Sequence, residues 1–397
     1  MNPASGRQRS LWRQCLLLAV IPVCIGSCGP QSMPDVQLFK AAEAPPTLSA
    51  WGVLLRQRDQ LVLNRDVFAY SLNTPLFSDY AQKLRTVWLP PGTRVQYRMD
   101  ESFDFPVGAI ISKTFYYPRA EPGSTALLKH AADPLFDGQG LDLDRVRLIE
   151  TRLLVHQADG WQALPYVWDE AQRDAHLSIG GAIKVLTLSS GEAPTSETFD
   201  YLVPDANQCG GCHVTDHQSG RLSPIGPKAR HLNRPINESD GRNQLDDWAA
   251  RGLLGGLPPD AQRPRNARWP EDTDADLDQR ARSYLDINCG HCHSRRGPAN
   301  TSGLLLDQGE WSLRQLGVCK PPVAAGRGSG GHLYSIVPGE PAQSILSFRM
   351  RSRDPGQMMP ELGRTLAHSE GVALIERWIA SLTGECATGP GLISQLE

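Results

Sequence analysis

Between Trp51 and Pro204 apolar and polar residues alternate with a period of two. Val95, Tyr97 and Met99 alternate with Arg94, Gln96 and Arg98, and a second run covers Ala109–Tyr117. A hairpin is expected from Val146 to Val155, turning at Asp159-Gly160 and returning through Trp161–Trp168. Ile183–Leu188 and Thr198–Val203 supply two more strands, so residues 50–204 are expected to form an antiparallel β domain, sandwich or barrel. After Pro204 the period lengthens to that of a helix. Gln244–Leu253 places Leu245, Trp248 and Ala249 on one face and stops at Gly255-Gly256 and Pro258-Pro259. A second helix is expected over Leu277–Ile287, and a third, from Ser369 to Leu382, carries Val372, Ile375, Trp378, Ile379 and Leu382. The alternating acids Asp272, Asp274, Asp276 and Asp278 suit the N-terminus of the second helix. They lack the glycine and the bidentate glutamate that a calcium loop needs at its sixth and twelfth positions.

Ahead of the β pattern, Arg7, Arg9 and Arg13 precede an apolar run, Cys15 to Ile25, that is too short to span a bilayer. It ends in Ile25-Gly26-Ser27-Cys28, which resembles the lipobox of bacterial lipoproteins. That likeness implies a signal peptide over 1–27, lipidation of Cys28, and a chain facing the periplasm from a membrane, with the outer membrane preferred. Ordinary secretion is the alternative, although no A-x-A-like site follows the apolar run. Residues 28–49, with Pro45-Pro46, form a linker.

The chemistry of the chain is concentrated in two short segments. Cys209-Gly210-Gly211-Cys212-His213 and Cys289-Gly290-His291-Cys292-His293 both have the form C-x-x-C-H, the attachment signature of c-type haem. Two thiols at this spacing can form thioethers to one porphyrin, and the histidine that follows is delivered to the iron. A zinc ribbon would set its pairs closer together, and a disulfide exchanger would want a single C-x-x-C beside a βαβ pattern. The expectation is therefore two haem c groups, with His213 and His293 as iron ligands. Of nine cysteines, three lie in the leader and four in the motifs. Cys319 and Cys386 remain as an even pair, for which a disulfide is a reasonable expectation in an oxidising compartment.

Charge and composition narrow the class further. A net charge of −3 with no basic stripe excludes nucleic acid as a partner, while 37 glycines and 31 prolines suit a loop-rich architecture. In the β region Tyr116, Tyr117, Trp161 and Trp168 read either as core and rim of a sheet or as a binding face.

From Asp272 to Cys386 the order of entry helix, C-x-x-C-H, Gly297-Pro298 loop, Met358-Met359-Pro360 and closing helix resembles a class I cytochrome c domain. The resemblance implies Met359 as the distal iron ligand, with Met358 as fallback, and the Pro298 carbonyl as acceptor for the proximal histidine. The first motif follows the last strand with no room for an entry helix, so its unit must borrow packing from the β domain or from the second unit. Its distal side stays open among three readings. These are His231 through the Pro/Gly loop, a distant residue such as Met350, and an open position on the iron. Arg221, Lys228 and Arg230 read equally as propionate partners and as solvated surface.

Over its full length the chain resembles a proteobacterial family of diheme c-type cytochrome lipoproteins. The likeness is carried by "LNTPLFSDYAQK", "FPVGAIISKTFYY", "NQCGGCH", "YLDINCGHCH" and "DPGQMMPELGR". It implies one-electron transfer through two covalent haems with a redox donor or acceptor. A parallel β-helix protein is the partner its gene neighbourhood suggests. A diheme peroxidase with an open first haem is the alternative, so whether the chain is an enzyme stays undecided at this point. The expected order is a β-rich domain over 50–204, a minimal haem unit over 205–257, a linker over 258–271, a second cytochrome c domain over 272–386 and a tail over 387–397. The expected fold class is thus a multidomain β + α chain, an antiparallel β domain followed by two mainly α-helical haem units.

Overall fold

The computed structural model describes Met1 and residues 33–190, 196–237, 241–270, 275–309 and 311–387. The leader, Cys28, Asp272 and Asp274 lie outside the described residues. Pro34–Glu397 form one compact unit.

Its frame is a six-stranded antiparallel meander: β1 (Val67–Tyr70), β2 (Gln82–Trp88), β3 (Ile110–Pro118), β4 (Val146–Gln157), β5 (Gly160–Trp168) and β6 (Ala175–Leu177) lie side by side in chain order. A hairpin of β7 (Ala182–Ser189) and β8 (Ser196–Val203) follows, joined in parallel by Leu127–Leu128. The period-two pattern explains why the two faces of the meander differ. One face presents Leu84, Trp88, Ile110, Leu153, Leu164 and Tyr166 to the largest core, where Trp51 donates through Nε1 to the Tyr166 hydroxyl at 2.7 Å. The hydroxyls on that face pair off across the strands, Thr86 with Ser112 and Thr114 with Thr151 at 2.8 Å. The opposite face carries Val87, Ile111 and Leu154 beside a row of cations described below.

The expected architecture is corrected by this structure. Among the described residues there are four sheets, and the seven α-helices are short: α1 (Ala206–His213), α2 (Ala229–Leu232), α3 (Gln244–Ala250), α4 (Leu277–Leu285), α5 (Leu313–Leu316), α6 (Ile345–Arg351) and α7 (Ser369–Ser381). The described residues form no pair of mainly α-helical haem units. The reason lies in the supply of apolar side chains. Ala229 and Leu232 of α2 and Leu245 and Trp248 of α3 pack against Val87, Ile111 and Leu154 of the meander, in one shared core. Residues 205–257 thus close no core of their own. The later segment does better, with Tyr284, Leu285, Met350, Ile375 and Trp378 clustered together. Leu366, nearby in sequence, packs instead with Phe115, Tyr117 and Tyr201 of the sheets.

Single elements depart from expectation for local reasons. The run from Val95 to Met99 keeps only Val95–Gln96 as strand, paired in parallel with Leu254–Gly255. β2 escapes a period-two search because its last five residues are all buried, the strand being covered on both faces. The disulfide Cys319–Cys386 is present, with 5.2 Å between the Cα atoms, and ties the segment after α5 to the tail after α7.

One buried carboxylate fastens these parts together. Asp286 accepts from Arg230 at 2.7 and 2.8 Å, from His231 Nε2 at 2.8 Å, from Asn266 at 2.8 Å and from the Gln308 backbone at 3.0 Å. Arg230, His231, Asn266 and Asp286 are each only 2–4% exposed. Burial opposes ionisation of Asp286, but the adjoining Arg230 guanidinium and His231 outweigh it and hold the carboxyl well below its ordinary range. Removing this charge strands a guanidinium in the interior. Asp286→Asn is expected to cost about 3–5 kcal/mol, measured as a fall in the urea midpoint at unchanged m-value.

Candidate functional site

Both C-x-x-C-H segments begin at a capped helix. α1 starts at Asp205, whose carboxylate accepts from the Gln208 N–H at 2.7 Å while the Gln208 side chain returns to the Asp205 N–H at 3.1 Å. Cys209, Cys212 and His213 fall in its remaining turns. α4 has the same box between Asp276 and Gln279, then widens into a π turn over Asp286–Gly290 that delivers Cys289. Gly290 has to be glycine, since a Cβ there would lie 2.7 Å from the Asp307 Cα.

Both motif histidines are held in one tautomer. His213 Nδ1 lies 3.0 Å from the Ser223 carbonyl, which can only accept, so Nδ1 carries the proton and Nε2 is bare. His293 Nδ1 lies 3.1 Å from Ser302 Oγ, whose own proton goes to the Ala299 carbonyl at 2.6 Å. Ser302 therefore accepts, and Nε2 of His293 is bare as well. This corrects the expectation of the Pro298 carbonyl as partner, because the turn at 300–302 brings a hydroxyl closer.

The two segments meet at one cavity of about 480 Å³. Its wall includes Cys209, Cys212, His213, Cys289, Cys292 and His293, so all six motif residues that the sequence singled out share one space. Cys292 Sγ is 3.6 Å from the Gly211 carbonyl, and the His217 N–H donates to the Arg296 carbonyl at 2.8 Å, fastening the motifs to each other. Met359 and Met350 also line the cavity, whereas Met358 does not and is buried. His231 is not in the wall. Its Nε2 is taken by Asp286 and its carbonyl by the Asn73 N–H at 2.8 Å, so the expectation of His231 as a distal ligand is corrected. Arg230 of the same turn serves Asp286 too, which removes it from the candidate propionate partners.

The expectation of two haem irons as cofactors is corrected here. Among the described residues no group of three or more His, Cys, Asp or Glu side chains is disposed to hold a metal ion. Among the described residues the motif side chains line a space instead of converging on a point.

The sheet supplies the cavity's electrostatics. Arg85, Lys113 and Arg152 stand opposite one another on β2, β3 and β4, and Lys113 and Arg152 reach the cavity wall. Phe115 lies beneath three cations, with Arg152 at 4.4 Å and Lys83 and Lys113 at 5.5 Å from its centroid. Arg152 is paired with Glu150 at 2.7 Å. Burial and then the neighbouring Arg152 and Arg85 pull Lys113 down to about 7. The same burial lowers His213 to about 3 and His293 and His291 to about 4, and pushes Cys289 and Cys292 up to about 12. The thiols and imidazoles facing the cavity are therefore neutral at pH 7.

What the sequence did not disclose is the role of the segment Leu72–Lys83. Its Phe77 N–H donates to Asn288 Oδ1 at 2.8 Å, one residue before the second motif. Asp79 Oδ1 accepts from the Thr365 and Leu366 N–H groups at 2.7 and 2.6 Å, pinning the loop that follows Met359. Asp79 and Tyr80 both adopt left-handed φ, 48° and 62°. These backbone bonds span almost 290 residues, so no local pattern announces them.

Burial raises Asp79 from its ordinary 3.8 to about 6, against the opposing pull of its two backbone donors. A carboxyl raised in the folded state stabilises most below its unfolded pKa, and that contribution is lost as pH rises through the folded value. Relative to Asp79→Asn, the native chain should lose about 2–3 kcal/mol between pH 4 and pH 7. Paired urea titrations at the two pH values check this, and parallel curves for the two proteins would count against it.

Comparison with known proteins finds no match: no family model, no curated protein and no solved structure is similar to this chain. Among the described residues no helix is long and apolar enough to cross a membrane.

Proposed function

We propose that this protein is a one-electron carrier of the c-type cytochrome kind, working through redox-active groups attached at its two C-x-x-C-H segments. The observation that supports the reading most is the meeting of both segments at a single cavity, each with a histidine whose Nε2 is bare. When bound, a group of that kind takes up and releases single electrons. The chain's own residues do the rest. Cys209, Cys212, Cys289 and Cys292 are the points of attachment, neutral thiols of which Cys209 is buried and the other three are half-buried. His213 and His293 are held by Ser223 and Ser302 in the tautomer a ligand needs. Met359 offers a thioether in the same wall, and Arg152 offers positive charge there.

On this reading the chain works in the periplasm, tethered through lipid on Cys28 and exchanging electrons with a protein partner. A parallel β-helix protein is the suggested candidate.

The test is direct. Protein produced with a c-type maturation system should show visible absorption that survives acid–acetone extraction, and replacing both cysteines of either motif by serine should remove about half of it. A purified native chain without any such absorption would sink the proposal. In a redox titration, Met359→Ala should lower one midpoint potential and leave the other near its native value, because a thioether ligand favours the reduced state. Unchanged midpoints would remove Met359 from the site.

A further inference from the structure

We propose that Lys113 is a nucleophilic amine that captures apolar aldehydes entering the shared cavity and holds them as a reversible imine. The inference is independent of the function proposed above, because the amine belongs to the sheet and the attachment thiols to the two segments. Lys113 is the middle member of the cation row, opposite Arg85 on β2 and Arg152 on β4. The other basic side chains over Phe115 are already engaged. Arg152 is held by Glu150 at 2.7 Å, and Lys83 donates to the Ala81 carbonyl at 2.8 Å. Glu150 in turn accepts from the Tyr201 hydroxyl at 2.7 Å. Lys113 differs. Among the described residues no carboxylate or carbonyl accepts from its amino group, which lies 5.5 Å from the centroid of the Phe115 ring. An ammonium placed between two guanidinium groups with no acceptor is disfavoured twice, by lost solvation and by like charge.

The free base is the nucleophilic form of an amine, and burial beside Arg152 and Arg85 makes it abundant at neutral pH by bringing Lys113 to about 7. The cavity it faces, of about 480 Å³, has the size of a small-molecule site, and Ile111, Phe115 and Leu154 of the same sheet line it beside Lys113. That wall suits an apolar chain carrying one carbonyl group. The four thiols around it compete poorly, since burial keeps them protonated. The step balances between the two reactants. Nζ bonds to the carbonyl carbon, C=N replaces C=O, and the oxygen leaves as water with both amine protons. No oxidant or reductant takes part. Arg85 and Arg152 disfavour a protonated imine as they disfavour the ammonium, so the product is a neutral imine that water can reverse.

Pentanal is the probe, with borohydride to reduce an imine to a stable secondary amine, a product that thiols do not give. On the purified full-length protein at pH 7, peptide mass spectrometry should find the pentyl group on Lys113 about tenfold sooner than on the exposed Lys40. Equal labelling of the two lysines, or labelling of Lys40 alone, overturns the proposal, and this comparison needs no variant. Lys113→Met should lose the fast labelling while Lys40 keeps its own rate; fast labelling that persists in the variant places the reactive amine elsewhere. Glyceraldehyde, which is polar, should label Lys113 no faster than Lys40. A preference of Lys113 for glyceraldehyde over pentanal would overturn the apolar substrate class. None of these readouts needs visible absorption, so a failure of the proposed function is a separate result.

Discussion

The Asp286 carboxylate is the contact on which the geometry of the site depends. It sits where α4 gives way to the π turn, three residues ahead of Cys289, and its partners Arg230 and His231 come from the turn that follows the first motif. One buried charge thereby sets the spacing of two segments that are 80 residues apart in the chain. Such a group is expensive to bury and worth little beyond a hydrophobic substitute in stability alone. Its value here is in position. An apolar contact can slide, whereas a carboxylate holding a guanidinium, an imidazole, an amide and a backbone N–H has one arrangement that satisfies all of them.

The meander works to the same end from the other side. Its regular alternation sends one set of side chains into the main core and the other toward the cavity, so the cations Arg85, Lys113 and Arg152 arrive as a row because neighbouring strands are in register. The β region is the floor of the site and not a separate module. This is why the segment after the first motif needs no core of its own. It lies on a sheet that already exists, and Leu232, Leu245 and Trp248 complete a surface that Ile111 and Leu154 begin.

The loop Leu72–Ala81 closes the space between these two supports. With Phe77 bonded to Asn288 and Asp79 bonded to Thr365 and Leu366, it links the entry to the second motif with the loop after Met359. The left-handed backbone at Asp79 and Tyr80 and the buried carboxyl are local costs, offset by the order they impose on segments that lack regular structure.

Some of this was legible along the chain. The C-x-x-C-H spacing, the hairpin turning near Gly160, the apolar stripe of α7 and the pairing of Cys319 with Cys386 each depend on residues close together or on simple counting. Covalent geometry and periodicity decide such features, and both are written in sequence. Other features depended on which surfaces meet. That His231 turns to Asp286, that Ser302 replaces Pro298 beside His293, that the first motif shares a core with the sheet and that His291 is left enclosed without a partner are all consequences of packing between distant segments. Hydrogen bonds and burial act over a few ångströms in space regardless of separation along the chain. The sequence therefore specified the chemical groups of the site, and the tertiary structure decided which of them face one another.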